Sequence, residues 1–200
     1  TVEALEVVTG TGEVVHYGPA DRGEERLLFD HVRGGLGELG VITEATCRLE
    51  AVPARLTTWR LLYEDVTAYL TDSARACTTE GMVHVGGRLG VDPRLGRVFE
   101  LRLAARIGVV PDAPGAAKTE HHEVPLRELV DLYWNTFRSW RRMARGGRVS
   151  HPWVEAFVPW DRAAAAVTEV LERTPDAWLR AGLFLLWPVA PTPLPMLVQP

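Results

Sequence analysis

The chain has 200 residues, 46% hydrophobic and 24% charged, with a formal net charge of −4 and a pI of about 5.9. That length holds one good domain or two small ones. The balance is that of a soluble globular chain, and the acidic charge excludes a general nucleic-acid surface. No run reaches the roughly 18 apolar residues of a membrane span, so a soluble, cytoplasmic protein is expected. The chain opens at Thr1 directly in strand-like sequence, with no initiator methionine and no signal-like n-region or h-region. It reads as a piece of a longer protein, whose compartment this start leaves open.

In chain order, Ala4 to Val8 and Glu13 to Tyr17 are two short strands around Thr9-Gly10-Thr11-Gly12, a hairpin signal. Glu24 to Arg33 suits a short helix, with Leu27, Leu28 and Val32 as its apolar positions. A glycine-rich turn from Gly34 to Gly40 leads into Val41 to Leu49, β-branched and alternating like a strand. Pro53 ends that strand, since proline cannot donate to a ladder, and a domain boundary falls near Val52 to Arg55. Thr57 to Tyr63 alternates as a strand, and Glu64 to Glu80 is a helix with Val66, Tyr69, Leu70, Ser73 and Cys77 near one face. Met82 to Leu89 and Arg97 to Arg106 are strands joined by the turn Asp92-Pro93-Arg94-Leu95-Gly96. Val110 to Ala117 is a Pro/Gly/Ala-rich loop. Leu126 to Met143 is the longest helical stretch, closed by Gly146 and Gly147. Trp153 to Val158 is a predicted strand, Trp160 to Glu172 a helix with Asp161 near its N-terminus, and Ala181 to Trp187 a last strand. This order predicts an α+β architecture: an antiparallel sheet with helices on one face, preceded by a smaller part.

Two stretches invite a chemical reading. Gly35, Gly37 and Gly40 match the G-x-G-x-x-G dinucleotide fingerprint, which works only between a preceding strand and a following helix. Here a helix precedes and a strand follows, so the Rossmann reading fails. Glycines that let a backbone pass close to something remain. In Ser150-His151-Pro152-Trp153-Val154-Glu155-Ala156-Phe157-Val158-Pro159, a strand entered through a proline puts Trp153 and Glu155 on one face. An indole beside a hydrogen-bonding group could wall a planar ligand, or the indole could pack beneath the long helix with Glu155 at the rim. The seven tryptophans divide between the same two roles, pocket wall and packing. Cys47 and Cys77 suit small core positions and form no disulfide framework. No metal site is expected: adjacent histidines such as His121 and His122 point to opposite faces of a strand and cannot easily share an ion. Arg138, Arg141, Arg142, Arg145 and Arg148 read as a solvated helix end favoured by the macrodipole.

Three segments together resemble a known family. Leu5 to Val15, then Leu28-Phe29 with Gly34-Gly35-Leu36-Gly37-Glu38-Leu39-Gly40-Val41-Ile42-Thr43, then Leu49-Glu50-Ala51-Val52-Pro53-Ala54 are similar, in order and spacing, to FAD-linked oxidases of the vanillyl-alcohol oxidase type. The matching part is the later portion of their PCMH-type FAD-binding domain. The run from His151 to Pro159 resembles the His-Pro-Trp-Leu-Asn-x-Phe-Val-Pro run of the cytokinin dehydrogenases, in their substrate-binding domain. Trp59, Tyr63 and Asp65 look like the opening of that domain, and Leu183 to Pro188 like a later cavity-lining strand. The resemblance implies that residues 1–53 are the C-terminal portion of the FAD-binding domain and residues 56–200 an incomplete substrate-binding (cap) domain. It implies FAD as cofactor, contacted at Gly40, Val41 and Ile42, and a small-molecule substrate contacted by Trp153, Glu155 and Pro188. The family's flavin-linking histidine, first phosphate loop and catalytic aspartate would lie before Thr1, and its last flavin-contacting segment after Pro200. No catalytic residue is therefore assigned, and the missing N- and C-terminal segments are the chain's expected partners.

Two departures bear on the substrate. Where the cytokinin dehydrogenases carry Tyr-Val-Glu-Gly, this chain reads His84-Val85-Gly86-Gly87, so the glutamate is replaced by Gly86. Their asparagine is replaced by Glu155, a change of charge in the cavity. The resemblance then implies oxidation of another small amine or alcohol at least as readily as of a cytokinin. The alternative is a non-catalytic ligand-binding or interaction domain without the flavin apparatus. A Gly-x-x-His flavinylation motif upstream in the parent reading frame would favour the first, and a start codon close to Thr1 the second.

Overall fold

The computed structural model describes residues 2–35, 37–143, 154–182 and 184–189. They fall into two compact units divided between Ala51 and Val52.

The first unit is a three-stranded antiparallel sheet with one helix. Strands β1 (Val2–Val8) and β2 (Val14–Tyr17) form the predicted hairpin, and the helix α1 (Gly23–Gly34) leads to β3 (Val41–Cys47), giving the order β2-β1-β3. Gly12 takes φ +85° in the hairpin turn and donates its amide to the Thr9 carbonyl at 3.0 Å. Glu24 and Glu25 in the first turn of α1 and Arg33 in the last complement the helix dipole. Phe29 and Val32 of α1 pack on Leu5, Val7 and Tyr17, which forms the unit's buried cluster. β3 is exposed along its whole length. It is an edge strand whose neighbour on one side is β1, and no described element covers it.

The second unit is a five-stranded antiparallel sheet of order β7-β4-β6-β5-β8, built from β4 (Arg55–Tyr63), β5 (Met82–Asp92), β6 (Gly96–Ala105), β7 (Lys118–Pro125) and β8 (Phe184–Leu185). Its helices are α2 (Val66–Thr78), α3 (Leu126–Met143), α4 (Trp160–Arg173) and α5 (Asp176–Ala181). The side chains of a strand alternate between faces. Leu61 and Tyr63 of β4, Leu89 of β5, and Phe99, Leu101 and Leu103 of β6 share one face. They form the core with Tyr69 and Ala76 of α2 and Leu179 of α5, and Val167 and Leu171 of α4 pack against it. The fold is thus α+β, with α2, α4 and α5 on one face of an antiparallel sheet, while α3 meets β7 and β4. Asp65 caps α2, accepting the Ala68 amide at 2.7 Å.

Four readings of the sequence are corrected. Cys47 and Cys77, expected at small core positions, are both exposed. Residues 154–159 form no strand, and Val154, Phe157 and Val158 are exposed. A period-two pattern makes a strand only where a sheet edge accepts it, and the edge strands β7 and β8 take no partner from this run. The last strand is Phe184–Leu185 rather than Ala181–Trp187, and Ala181 belongs instead to the end of α5. The predicted element order lacks β7, although His121 and His122 are read there as strand neighbours, because Lys-Thr-Glu-His-His-Glu carries no apolar alternation. Its charge is that of an edge strand that discourages further pairing.

Candidate functional site

The glycine segment sits where helix α1 turns into β3. Gly37 takes φ +88° and Gly40 φ +145°, conformations that favour glycine. A Cβ on Gly40 would lie 2.7 Å from Val7 Cγ1 and 2.8 Å from the Val8 carbonyl oxygen. The close approach that demands glycine there is therefore, at least in part, to the chain's own β1. Val41 and Ile42 pair with Val8 and Val7. They remain 65% and 45% exposed, leaving an apolar strand edge open for a flat partner to lie along.

The substrate-wall positions are less concentrated. Trp153 lies outside the described residues. Glu155 is exposed in the irregular run 154–159, so the strand alternation that aligned it with Trp153 does not operate. Pro188 is half-buried just beyond β8. No hydrogen bond or ion pair among the described residues brings Glu155 and Pro188 together. Near β8, the Tyr69 hydroxyl donates to the Leu186 carbonyl at 2.7 Å, and the Leu186 amide to Gly87 O at 2.9 Å. Gly87 is required at this crossing, since a Cβ there would collide with the Tyr69 hydroxyl. His121 stacks on Trp59, ring centroids 4.5 Å apart, and no group of three or more possible metal ligands occurs among the described residues.

The sheet of the second unit has a second face, and sequence reasoning missed it. Opposite the apolar core, Arg60 (β4), Arg88 (β5), and Glu100 and Arg102 (β6) lie side by side: Arg60 pairs with Arg102, and Arg88 with Glu100. Glu100 is only 2% exposed. Its carboxylate accepts Nε and Nη2 of Arg88, both at 3.1 Å, Nε of Arg60 at 3.0 Å, and a short bond from Nε of Arg102. Arg60 Nη1 continues to Glu120 at 3.2 Å, which Lys118 meets at 2.6 Å. Burial alone pushes the Glu100 carboxyl up. The hydrogen bonds and charges of Arg88 and Arg102 outweigh it and bring the group down to about 2. The trace in sequence is a single pair, Glu100-x-Arg102, on one face of an otherwise largely apolar strand.

Set beside known proteins, the chain is similar to proteins named as oxidoreductases and, among them, to cytokinin dehydrogenases. An uncharacterised oxidoreductase of the fasciation locus of Rhodococcoides fascians is 29% identical over 96% of this chain and 45% of its own length. Cytokinin dehydrogenase 1 of Oryza sativa subsp. japonica is 29% identical over 92% of this chain and 44% of its own. Cytokinin dehydrogenase 4 of Arabidopsis thaliana is 37% identical over 46% of this chain and 16% of its own. The chain is thus similar to the cytokinin dehydrogenases and to a bacterial oxidoreductase, and it spans less than half the length of the longest matches. Among solved structures, Physcomitrella patens BBE-like 1 is 18% identical over 67% of this chain and 31% of its own, with a TM-score of 0.44. No family model matches.

Proposed function

We propose that this chain is the later part of an FAD-dependent oxidoreductase that oxidises a small amine or alcohol by hydride transfer to the flavin. The observation that carries the reading is the reach of the relatives' match, over 92–96% of the chain and hence through both of its units. Residues 1–53 close the FAD-binding domain, and residues 56–200 form the substrate-binding domain. The segments before and after them in the parent chain complete both.

The described residues suit a flavin on one side. The open edge of β3, with Val41 and Ile42 exposed beside the tight turn at Gly40, offers an apolar ledge with free backbone groups. Gly40, Val41 and Ile42 would hold the cofactor there, and bound FAD would supply the hydride acceptor. On the substrate side, the resemblance would give Trp153, which lies outside the described residues, together with Glu155 and Pro188 the role of contacting the substrate. Glu155 favours a substrate with a donor or cationic group, and Gly86 removes a carboxylate from another wall. Together they argue for a substrate other than a cytokinin.

The test is the full-length parent protein. It should purify with flavin absorbance, which should bleach anaerobically when a small amine or alcohol from a panel is added. Preparations that never carry flavin would defeat the proposal. In the active enzyme, Trp153→Ala should lower kcat/KM by about tenfold or more, the worth of an aromatic contact to the substrate.

A further inference from the structure

The arginines of the second face are more numerous than their carboxylates can satisfy. An ionised carboxylate offers about four lone-pair sites, and Glu100 already receives four hydrogen bonds, two from Arg88 and one each from Arg60 and Arg102, with Arg60 Nη2 also 2.9 Å from it. Arg60 finds a second carboxylate in Glu120. Among the described residues, Nη1 and Nη2 of Arg102 and Nη1 of Arg88 hold no hydrogen-bond partner. On this face Arg60, Arg88, Arg102 and Lys118 meet Glu100 and Glu120, a surplus of positive charge. Asp92, at the end of the same face, is engaged by the turn amides of Arg94 and Leu95 at 2.8 and 3.1 Å.

The geometry is that of a held receptor. Glu100 is buried and fixes three guanidinium groups from three neighbouring strands. Their side chains stay reachable at 35% (Arg60), 36% (Arg88) and 23% (Arg102) exposure. A guanidinium fork fixed at one edge presents its remaining N–H groups in a set direction, which suits the paired oxygens of a carboxylate or phosphate. The floor beside Arg88 is free of side chains at Gly90, where an added Cβ would meet nothing within 4 Å.

We propose that this face binds the anionic group of a small molecule, a carboxylate or a phosphate, through the free nitrogens of Arg102 and Arg88, with Glu100 as the positioning residue. The inference concerns binding alone and stands whether or not the parent protein is a flavoenzyme.

The experiment titrates the full-length protein calorimetrically with inorganic phosphate and, separately, with benzoate, at constant ionic strength set with chloride. Saturable binding of at least one is expected. Binding of phosphate alone or benzoate alone supports the site and decides which group it takes. Arg102→Lys keeps the positive charge beside Glu100 but removes the fork, and should weaken binding about tenfold while the protein stays folded. Arg88→Lys should do the same, and Glu100→Gln, which frees the forks from their anchor, should also weaken it. Should wild type bind neither anion, or both lysine variants bind like wild type, the proposal is overturned. The wild-type titration decides even if a variant fails to fold.

Discussion

At the scale of single residues, the buried Glu100 has a consequence that can be measured. Its carboxyl is lowered from 4.5 to about 2 by the surrounding arginines against the effect of burial. A depressed carboxyl contributes stability that is fully present above its unfolded value and is lost as the pH falls through its folded value. Denaturant midpoints should therefore hold above pH 4.5 and decline towards pH 2, and the contribution of this group is about 3 kcal/mol by linkage. Glu100→Gln should remove that part of the acid dependence, its deficit against wild type closing as the pH approaches 2. A difference that is flat from pH 6 to pH 2 would contradict the assignment. Gly87 makes a second residue-scale case. Gly87→Ala would force Tyr69 off the Leu186 carbonyl, and an unfolding ΔΔG of about 1–3 kcal/mol is expected, the cost of leaving a buried polar group without its partner. Neither role was legible in sequence. Gly87 stood there as one half of a Gly-Gly pair, and Glu100 as one charge among many, because their partners come from strands and helices distant along the chain.

At the scale of elements, the strongly periodic segments were legible and the others were not. β1, β2, α1, β3, β4, α2, β5, β6, α3 and α4 each carry a local pattern of period 2 or 3.6, or a turn or cap signal at an end. For α2 the cap can be tested: Asp65→Ala should cost about 1 kcal/mol of stability, read from urea midpoints, since the Ala68 amide loses its acceptor. At the entry to β3, Gly40→Ala should destabilise the first unit by more than that, as its Cβ meets Val7 and the Val8 carbonyl and its φ disfavours a side chain. Circular dichroism melts of both variants check the order. β7 escaped notice because an edge strand needs no apolar face, and the run 154–159 misled because its alternation has no sheet edge to join.

At the scale of the whole molecule, β3 sets the clearest expectation. With all seven of its residues exposed, those of its amides that point away from β1 should exchange rapidly in the isolated 200-residue chain. On the proposed function, which has further segments and FAD cover this edge, the same amides should be protected in the full-length protein. Equal exchange in both would argue that nothing docks there. What the sequence by itself determined is the class of most elements, their order, the hairpin, the glycine-bounded entry to β3 and the resemblance to FAD-linked oxidases, since each rests on residues close together in the chain. Tertiary structure alone decided that β7, β4, β6, β5 and β8 lie in that order. It also decided that Gly40 answers to β1, and that Arg60, Arg88, Glu100 and Arg102 meet on one face. Strand order and register are fixed by which faces bury apolar surface together, and no local pattern encodes which distant strand supplies the neighbour.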